Sequence, residues 1–495
     1  MLKRFILFLT GFCIVQFSGA QFTPDSLFSA EVLRSDFDSL KMTIELSHPD
    51  PYAFCGKEKF DDAYHDAMSS IGDSMRLADF AKIVSNFLNV MRDSHTSIDY
   101  GYLQELQLNK DGYYMPLSVR KVNDAAELFG IEVVASGDWT WGIPKGSKIV
   151  SINNISIADL YQEALNFACL EGNSTVSQST IATALIPVIC GFQHGYEKDN
   201  TVCFIPPGSE NMEVKNIAGL KKKEFTEAKK EREKNRPSWM PELTIDEELS
   251  MATLRVPTFS PRKGKKFSKY LKRSFSDLNK NNINNLVIDI RGNGGGSSSW
   301  VEYLYSYLDE AGYNTPDNVI GMNSQLAMDR NKFFHTGFVQ FIIRTFYNKD
   351  EDIASYQRIS SLPFGEQDTV YFSEPVTQKK DLVFRGKCYL LINGLTASAG
   401  VDFTNAFKSK SRGEVVGEQC LGPNTGTWGN PARYELPQTK VRLTIATIRY
   451  NYDHSFRYEK KAIEPDYEVG YNAMDLNQEK DTQLEFVKQL IRESK

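Results

Sequence analysis

The sequence predicts a multidomain α/β protein with a helical N-terminal unit, a β-rich middle domain and an α/β C-terminal domain. Three observations support this. The 495 residues exceed a single domain of about 100–200 residues. Apolar residues recur with a helical period up to about residue 105, and short β-like runs follow to about 215. From about 248 onward, continuous apolar strands alternate with helices, which is typical of a sheet covered on both faces.

The composition is that of a large globular protein. Hydrophobic residues make up 41% and charged residues 24% of the chain, which excludes a disordered chain, a collagen and a membrane bundle. There are 57 Lys and Arg against 63 Asp and Glu, a net charge of −6. Because phosphate binding needs a clustered basic surface, this balance argues against a nucleic-acid partner.

The first 20 residues have the pattern of a secretory signal. Lys3 and Arg4 precede the apolar run Phe5–Val15, and the small residues Ser18-Gly19-Ala20 stand where a signal peptidase cleaves. A bilayer span needs about 20 apolar residues, so the run is too short. We expect cleavage before Gln21 and a secreted or periplasmic protein with no membrane span in the mature chain. An uncleaved anchor is the alternative.

Residues 21–108 are predicted to form the helical unit. Two apolar series have the helical spacing: Phe28, Val32, Phe37 and Leu40, and then Leu77, Phe80, Ile83, Val84, Phe87 and Val90.

Residues 109–215 are predicted to form a small β-rich domain. The segment Gly142–Asn154 reads as turn, strand and turn, and a helix is expected over Ile157–Phe167. The segment resembles the PDZ-type pattern G-D-x-I-x-x-I-N-G, with Ser147 where Asp is usual and Asn154 where Gly is usual. A β-rich spacer domain is the alternative. Residues 216–247, which include the charge run 221–236, are predicted to be a linker.

The cysteines do not indicate a disulfide scaffold or a zinc site. No pair has C-x-x-C spacing. Three of the six cysteines beyond the signal are close in sequence and could hold one bridge, or all could be free buried thiols. These three are Cys169, Cys190 and Cys203.

The catalytic region is predicted over 248–475, followed by a C-terminal helix over 476–495. A buried strand ends in the run Asp289–Gly296, which contains three consecutive glycines. It lacks the Gly-Lys-Ser/Thr ending of a P-loop and the spacing of a dinucleotide fingerprint. The remaining interpretations are a tight turn or a loop whose N–H groups stabilise an oxyanion.

A second segment presents a candidate nucleophile. In Leu391–Gly400 a strand ends, a turn follows, and a helix begins near Ser398 among small residues. A helix N-terminus favours negative charge, which suits a nucleophile and its oxyanion. The alternative is that Ser398 only caps the helix.

A nucleophilic serine needs a base. His95, in the run Met91-Arg92-Asp93-Ser94-His95-Thr96, is the preferred histidine because small polar neighbours leave it accessible. The other histidines are His48, His65, His194, His335 and His454.

Together, the strand with Asn-Gly-Gly-Gly, the Thr-Ala-Ser-Ala turn and Asp-Ser-His-Thr resemble the S41 serine peptidases. The stretch Tyr458–Val469 is similar to that family's E-G-x-G-I-x-P-D-x-x-V ending. This group includes the C-terminal processing proteases and the tricorn core proteases. The resemblance implies a ClpP/crotonase-like α/β catalytic domain and a peptide or protein substrate.

The resemblance also implies a mechanism. The processing branch uses a Ser–Lys dyad, but no lysine lies between Lys410 and Lys440. The tricorn-type branch is matched by Ser94, His95, Ser398 and Glu459, with Glu464 as the competing acid. An oxyanion hole from the N–H groups of Gly294 or Gly295 and of Ala399 is implied, with no metal and no cofactor. A non-catalytic peptide-binding protein and an α/β-hydrolase esterase remain alternatives; the esterase would use His454.

Overall fold

The computed structural model describes residues 22–109, 112–122, 132–135, 140–235, 239–313, 318–331, 358–371, 377, 382–452 and 461–494. The predicted signal at 1–20 and the candidates Glu459, His335 and His454 lie outside the described residues.

Four helices dominate residues 22–109. Their apolar positions recur every three or four residues, so each helix buries one face. The elements are β1 (Leu27–Ser29), α1 (Ala30–Ser47), α2 (Lys57–Ser70), β2 (Ser74–Arg76), α3 (Leu77–Val90), β3 (Ser97–Ile98) and α4 (Tyr100–Gln107). Strands β1 and β2 pair antiparallel, which ties α1 to α3.

The middle region is an antiparallel sheet with two inserted helices. Its strands are ordered β4-β5-β6-β8-β9, and β7 pairs with β6. The elements are β4 (Val119–Val122), β5 (Glu132–Ala135), β6 (Lys148–Ile152), β7 (Ile155–Ser156), α5 (Ile157–Phe167), α6 (Thr175–His194), β8 (Asp199–Ile205), β9 (Glu213–Ala218) and α7 (Lys222–Asn235). The PDZ-type assignment of this region stays a prediction.

The catalytic region is built on a six-stranded sheet of order β10-β11-β12-β15-β16-β21, parallel except for β10. Its first elements are β10 (Glu242–Asp246), β11 (Met251–Arg255), α8 (Gly264–Lys280), β12 (Asn285–Asp289), α9 (Ser298–Tyr305), β13 (Asn318–Met322), α10 (Gln325–Arg330) and β14 (Gln367–Tyr371). The later ones are β15 (Lys387–Ile392), α11 (Ala399–Ser409), β16 (Glu414–Gly417), β17 (Gly426–Gly429), β18 (Ala432–Glu435), β19 (Arg442–Ile445), β20 (Ile448–Asn451), β21 (Tyr467–Glu468), α12 (Ala473–Asn477) and α13 (Thr482–Glu493).

Both faces of this sheet are covered, as its continuous apolar strands require. Along β12, Leu286 and Ile288 pack into the larger core with α8, whereas Val287 faces the other side. There it meets Val487 and Ile491 of α13.

The N-terminal unit is joined to the catalytic region by strand pairing. A three-stranded sheet of order β18-β19-β3 pairs Leu443 with Ile98 and Thr444 with Ser97. A second antiparallel sheet has the order β14-β13-β20-β17. The stretch 441–448 is divided between two strands, because β19 pairs with β3 and β20 pairs with β13.

Both ends of the segment 216–247, predicted to be a linker, belong to β-strands. Strand β9 extends to Ala218, and β10 is the antiparallel edge strand of the catalytic sheet. Between these two strands, the charge run contributes helix α7, most of whose residues from 222 to 231 are exposed.

The six cysteines from Cys55 to Cys420 are free thiols, so no bridge links the three close in sequence. Among the described helices, α6 is long and apolar enough to cross a membrane. However, 61% of its most apolar window is buried inside the fold, as in the core helix of a soluble protein.

Candidate active site

The Ser398 turn holds its backbone in an uncommon conformation. Ser398 lies between β15 and α11 with φ 51° and ψ −123°, a backbone region that residues other than glycine rarely adopt. Its hydroxyl makes no capping hydrogen bond to α11, and the side chain is half-buried. Helix capping therefore does not explain this serine, and its hydroxyl is left available for chemistry.

The glycine-rich loop lies against the serine turn because β12 and β15 are parallel neighbours. Their carboxyl ends meet at one edge of the sheet. Gly292 N–H donates to Asn393 Oδ1 at 2.9 Å, and Ala397 N–H donates to the Asn293 carbonyl at 3.0 Å. The Thr396 hydroxyl donates to the carbonyl of Ile290 at 3.1 Å. These bonds fix the two loops relative to each other.

The three predicted oxyanion donors differ in their availability. Gly295 N–H donates to Asn293 Oδ1 at 2.9 Å, so this donor is already engaged. A Cβ on Gly295 would lie 2.6 Å from Ser398 Cβ, which makes glycine necessary there. Gly294 is exposed with open space around its Cα, and Ala399 is the first residue of α11. The N–H groups of Gly294 and Ala399 are therefore the better-suited pair.

His95 is supplied by a turn that the catalytic region holds in place. Its backbone N–H donates to Asp93 Oδ1 at 2.8 Å, and its carbonyl accepts from the Thr444 hydroxyl at 2.8 Å. The next residue, Thr96, is buried and accepts at Oγ1 from Ala446 N–H at 3.0 Å. The strand pairing of β3 with β19 thus positions a histidine that lies about 300 residues before Ser398.

Carboxylates surround the His95 ring, whose side chain is 12% exposed. Nδ1 lies 3.6 Å from Asp93 Oδ1 and 3.7 Å from Glu171 Oε2. Both distances exceed a hydrogen bond, so they describe charge attraction. Asp402, on the first turn of α11 after Ser398, also acts electrostatically on His95. The histidine is thereby linked to the helix that carries the nucleophile.

The carboxylates raise the pKa of His95. Burial by itself lowers it, but the charges of Asp93, Glu171 and Asp402 outweigh burial. Burial raises the pKa of Glu171 and raises that of Asp402 to about 7. Burial also acts to raise the pKa of Asp93, yet the hydrogen bond with His48 and the nearby charge of His95 hold this pKa well below its usual range.

Each of the two carboxylates near Nδ1 has further partners. Glu171 accepts from the Ser94 hydroxyl at Oε2 and from the Thr427 hydroxyl at Oε1, the latter at 2.6 Å. Asp93 Oδ2 lies 3.0 Å from Nε2 of the buried His48. Oxygens of Asp93 and Glu171 and a ring nitrogen of His95 lie within 4.8 Å of one another, so by donor type they could hold a metal ion.

The structure therefore places Ser94 and His95 together, and Ser398 beside Gly295. Glu459 lies outside the described residues, and the competing acid Glu464 is exposed. Sequence reasoning missed Glu171, which stands in the turn between α5 and α6. A lone glutamate before Gly-Asn-Ser has no local sequence signal of a functional role, and only its contacts place it beside Ser94 and His95.

Residues 250–469 match the family model described as peptidase family S41. The chain has no match among the curated proteins. The fold resembles that of CPAF in three solved structures. Mature CPAF is 13% identical, with a TM-score of 0.61, over 94% of this chain and 98% of that one. A serine-to-alanine mutant of CPAF is 12% identical, with a TM-score of 0.66, over 94% and 97%. The complex of mature CPAF with lactacystin is 12% identical, with a TM-score of 0.61, over 93% and 98%. Identities this low show a shared fold.

Proposed function

Since residues 250–469 belong to peptidase family S41 and the chain is a serine-type peptidase, we propose that it cleaves peptide bonds with Ser398 as nucleophile and His95 as general base. The observation that carries this proposal is the free Ser398 hydroxyl in a strained turn against the glycine-rich loop. The family match argues against an esterase of the α/β-hydrolase type. The presence of both Ser398 and His95 argues against a non-catalytic peptide-binding protein that kept the S41 fold.

The proposed chemistry is acyl transfer in two halves. The Ser398 hydroxyl proton passes to His95 Nε2 as Oγ attacks the peptide carbonyl. The N–H groups of Gly294 and Ala399 stabilise the oxyanion of the tetrahedral intermediate. His95 then gives the proton to the leaving amine, and an acyl-enzyme remains on Ser398. A water molecule, deprotonated by His95, attacks the ester, and the departing Oγ recovers the proton.

The charges around His95 suit this role. A histidine that accepts a proton in the transition state is stabilised by neighbouring carboxylates, which here include Asp93 and Glu171. Because their charges raise the pKa of His95, kcat/KM is expected to rise with pH as this residue loses its proton.

We further propose that the enzyme acts outside the cytoplasm after cleavage before Gln21. The support is the charged, apolar and small-residue pattern of residues 1–20. Mass spectrometry of exported protein is expected to find a mature start at Gln21, and an exported chain that still begins at Met1 would refute cleavage.

A fluorophosphonate probe combined with a peptide-library digest tests the nucleophile. The wild type is expected to become labelled at Ser398, and Ser398→Ala to lose labelling with a fall in kcat of about 10⁴–10⁶. Ser297→Ala is the matched control, because Ser297 is a half-buried serine at the start of the neighbouring helix α9. Labelling that persists in Ser398→Ala would overturn the assignment.

A further inference from the structure

We propose that Glu171, contributed by the middle region, is the carboxylate that positions the Ser94–His95 pair. This inference rests on the proposed function, because it assigns the acid of the same site. The resemblance to the tricorn-type branch implied Glu459 for this role, a residue that lies at the opposite end of the chain from Ser94. The argument for Glu171 comes from contacts, burial and charge.

Glu171 lies next to both Ser94 and His95, where a carboxylate that orients this pair has to be. Its Oε2 accepts a hydrogen bond from the Ser94 hydroxyl and lies 3.7 Å from His95 Nδ1. Its Oε1 accepts from the Thr427 hydroxyl at 2.6 Å. One carboxylate therefore contacts the Ser94 hydroxyl and faces His95 while a strand of the catalytic region, β17, fixes its orientation. The 3.7 Å distance from Oε2 to Nδ1 is compatible with this role, because catalytic hydrogen bonds that are long in a free enzyme often tighten only when substrate is bound.

The burial of Glu171 indicates a charge partner. Its side chain is 0% exposed, and burying a carboxylate without compensation is costly. Two hydroxyl donors offset part of this cost. The rest is offset when His95 takes the proton of Ser398 and becomes an imidazolium beside Oε2. Glu171 is thus an acid whose interactions improve as charge develops on His95, which is the property that a positioning carboxylate requires.

The other two carboxylates near His95, those of Asp93 and Asp402, have different hydrogen-bond partners. Asp93 holds its own turn, with Oδ1 on the His95 backbone N–H and Oδ2 on His48. Asp402 accepts from the Tyr452 hydroxyl and, at 3.2 Å, from the Ser298 hydroxyl. Of these three acids, Glu171 is the one that hydrogen-bonds the Ser94 side chain.

This placement gives the middle region a part in catalysis. Glu171 lies between α5 and α6, and the Ser174 hydroxyl donates to the Glu171 carbonyl at 2.6 Å, which fixes the turn. The N-terminus of α6 is in turn held to the catalytic region, because the Ser177 hydroxyl donates to the carbonyl of Gln419 at 3.0 Å. The N-terminal unit, the middle region and the catalytic region therefore all supply side chains to one site.

The test compares Glu171→Gln with Glu459→Gln, the rival acid, and with Glu213→Gln, the control, which removes an exposed glutamate on strand β9 of the middle region. Glutamine keeps the size and the acceptor oxygen of Glu171 but removes its charge. We expect kcat for a peptide substrate to fall by about 10²–10⁴ with KM little changed, because the acid acts on the transition state. The control is expected to stay within about twofold of the wild type.

A pH profile separates positioning from a purely structural role. Asp93, Glu171 and Asp402 face His95, and removing the charge of Glu171 lowers the pKa of His95. The acidic limb of kcat/KM in Glu171→Gln is therefore expected to move to lower pH. Loss of packing alone would lower the rate and leave this limb in place, which would overturn the assignment.

A double-mutant cycle keeps the inference testable if Glu171→Gln is poorly folded. Ser94→Ala removes the hydroxyl that links Glu171 to His95. If the two residues act as one unit, the double variant is expected to be no slower than the slower single variant. Multiplied losses would show independent roles and would count against the proposal.

The fluorophosphonate labelling rate at Ser398 distinguishes the two levels of failure. A wild type that is not labelled at Ser398 would refute the proposed function together with this inference. A labelled wild type with Glu171→Gln within about twofold of it, and with Glu459→Gln inactive, would overturn only the assignment of Glu171.

Discussion

Asp402 offers a quantitative test of how the site is built, through the substitution Asp402→Asn. The carboxyl is 2% exposed on the first turn of α11, and burial raises its pKa from 3.8 to about 7. Its oxygens accept from the hydroxyls of Tyr452 and Ser298. Asparagine has the same shape and does not titrate, so it removes the ionisation and keeps most of the packing.

The sign of the effect follows from the raised pKa. Below about pH 4 the carboxyl is protonated in both the folded and the unfolded chain, and it has no pH-dependent effect. Between about pH 4 and 7 the unfolded chain loses this proton and the folded chain keeps it, so the free energy of unfolding decreases as pH rises. Above about pH 7 both states are ionised, and the loss is complete.

The magnitude follows from the same numbers. The pKa rises from 3.8 to about 7, which is about three pKa units, and each unit corresponds to about 1.4 kcal/mol. The free energy of unfolding of Asp402→Asn, relative to the wild type, is therefore expected to increase by about 4 kcal/mol between pH 4 and pH 7.5. At pH 4 the difference consists mainly of the packing change, which makes that pH the internal reference.

Urea unfolding at constant ionic strength, at pH values from 4 to 8, measures this difference. Glu464→Gln is the control, because that side chain is exposed and its difference from the wild type is expected to stay flat. A difference for Asp402→Asn that varies by less than about 0.5 kcal/mol across the range would refute the reasoning, since a 1.4 kcal/mol change is expected for each pKa unit.

Two further predictions concern the links between the parts of the molecule. Lys121 of the middle region and Glu418 of the catalytic region form a buried pair at 3.8 Å. Lys121→Met or Glu418→Gln alone is expected to cost about 3–5 kcal/mol in unfolding experiments, and the double variant to recover most of it; additive losses would argue against pairing. In the glycine-rich loop, a Cβ on Gly296 would lie 2.1 Å from the carbonyl carbon of Phe259, at φ +145°. Gly296→Ala is expected to lose peptidase activity at least about 100-fold, by analogy with loss of an oxyanion donor. Gly292→Ala, with open space around its Cα, is expected to show only mild backbone strain, and equal losses in both variants would contradict this reasoning.

Local sequence patterns were sufficient to predict several helices and strands of this protein. The helix Ile157–Phe167 agrees with its prediction at both ends, because an N-cap serine and an apolar stripe are properties of neighbouring residues. The strands before Gly292 and Ser398 were predictable for the same reason, since continuous apolar runs indicate a sheet buried on both faces. The serine turn follows from small residues at a strand-to-helix junction, which the sequence shows directly.

The tertiary structure alone decided which donors and acids are available. Gly294 and Gly295 are equivalent in the sequence, but the Asn293 side chain engages the N–H of Gly295 only in the folded loop. Glu171 is 77 residues from Ser94, and no periodicity or spacing connects them. They meet because β3 pairs with β19 while α6 packs against the catalytic region. Helical and strand periods report contacts between near neighbours, whereas the charge environment of a buried histidine depends on side chains that only long-range packing brings together.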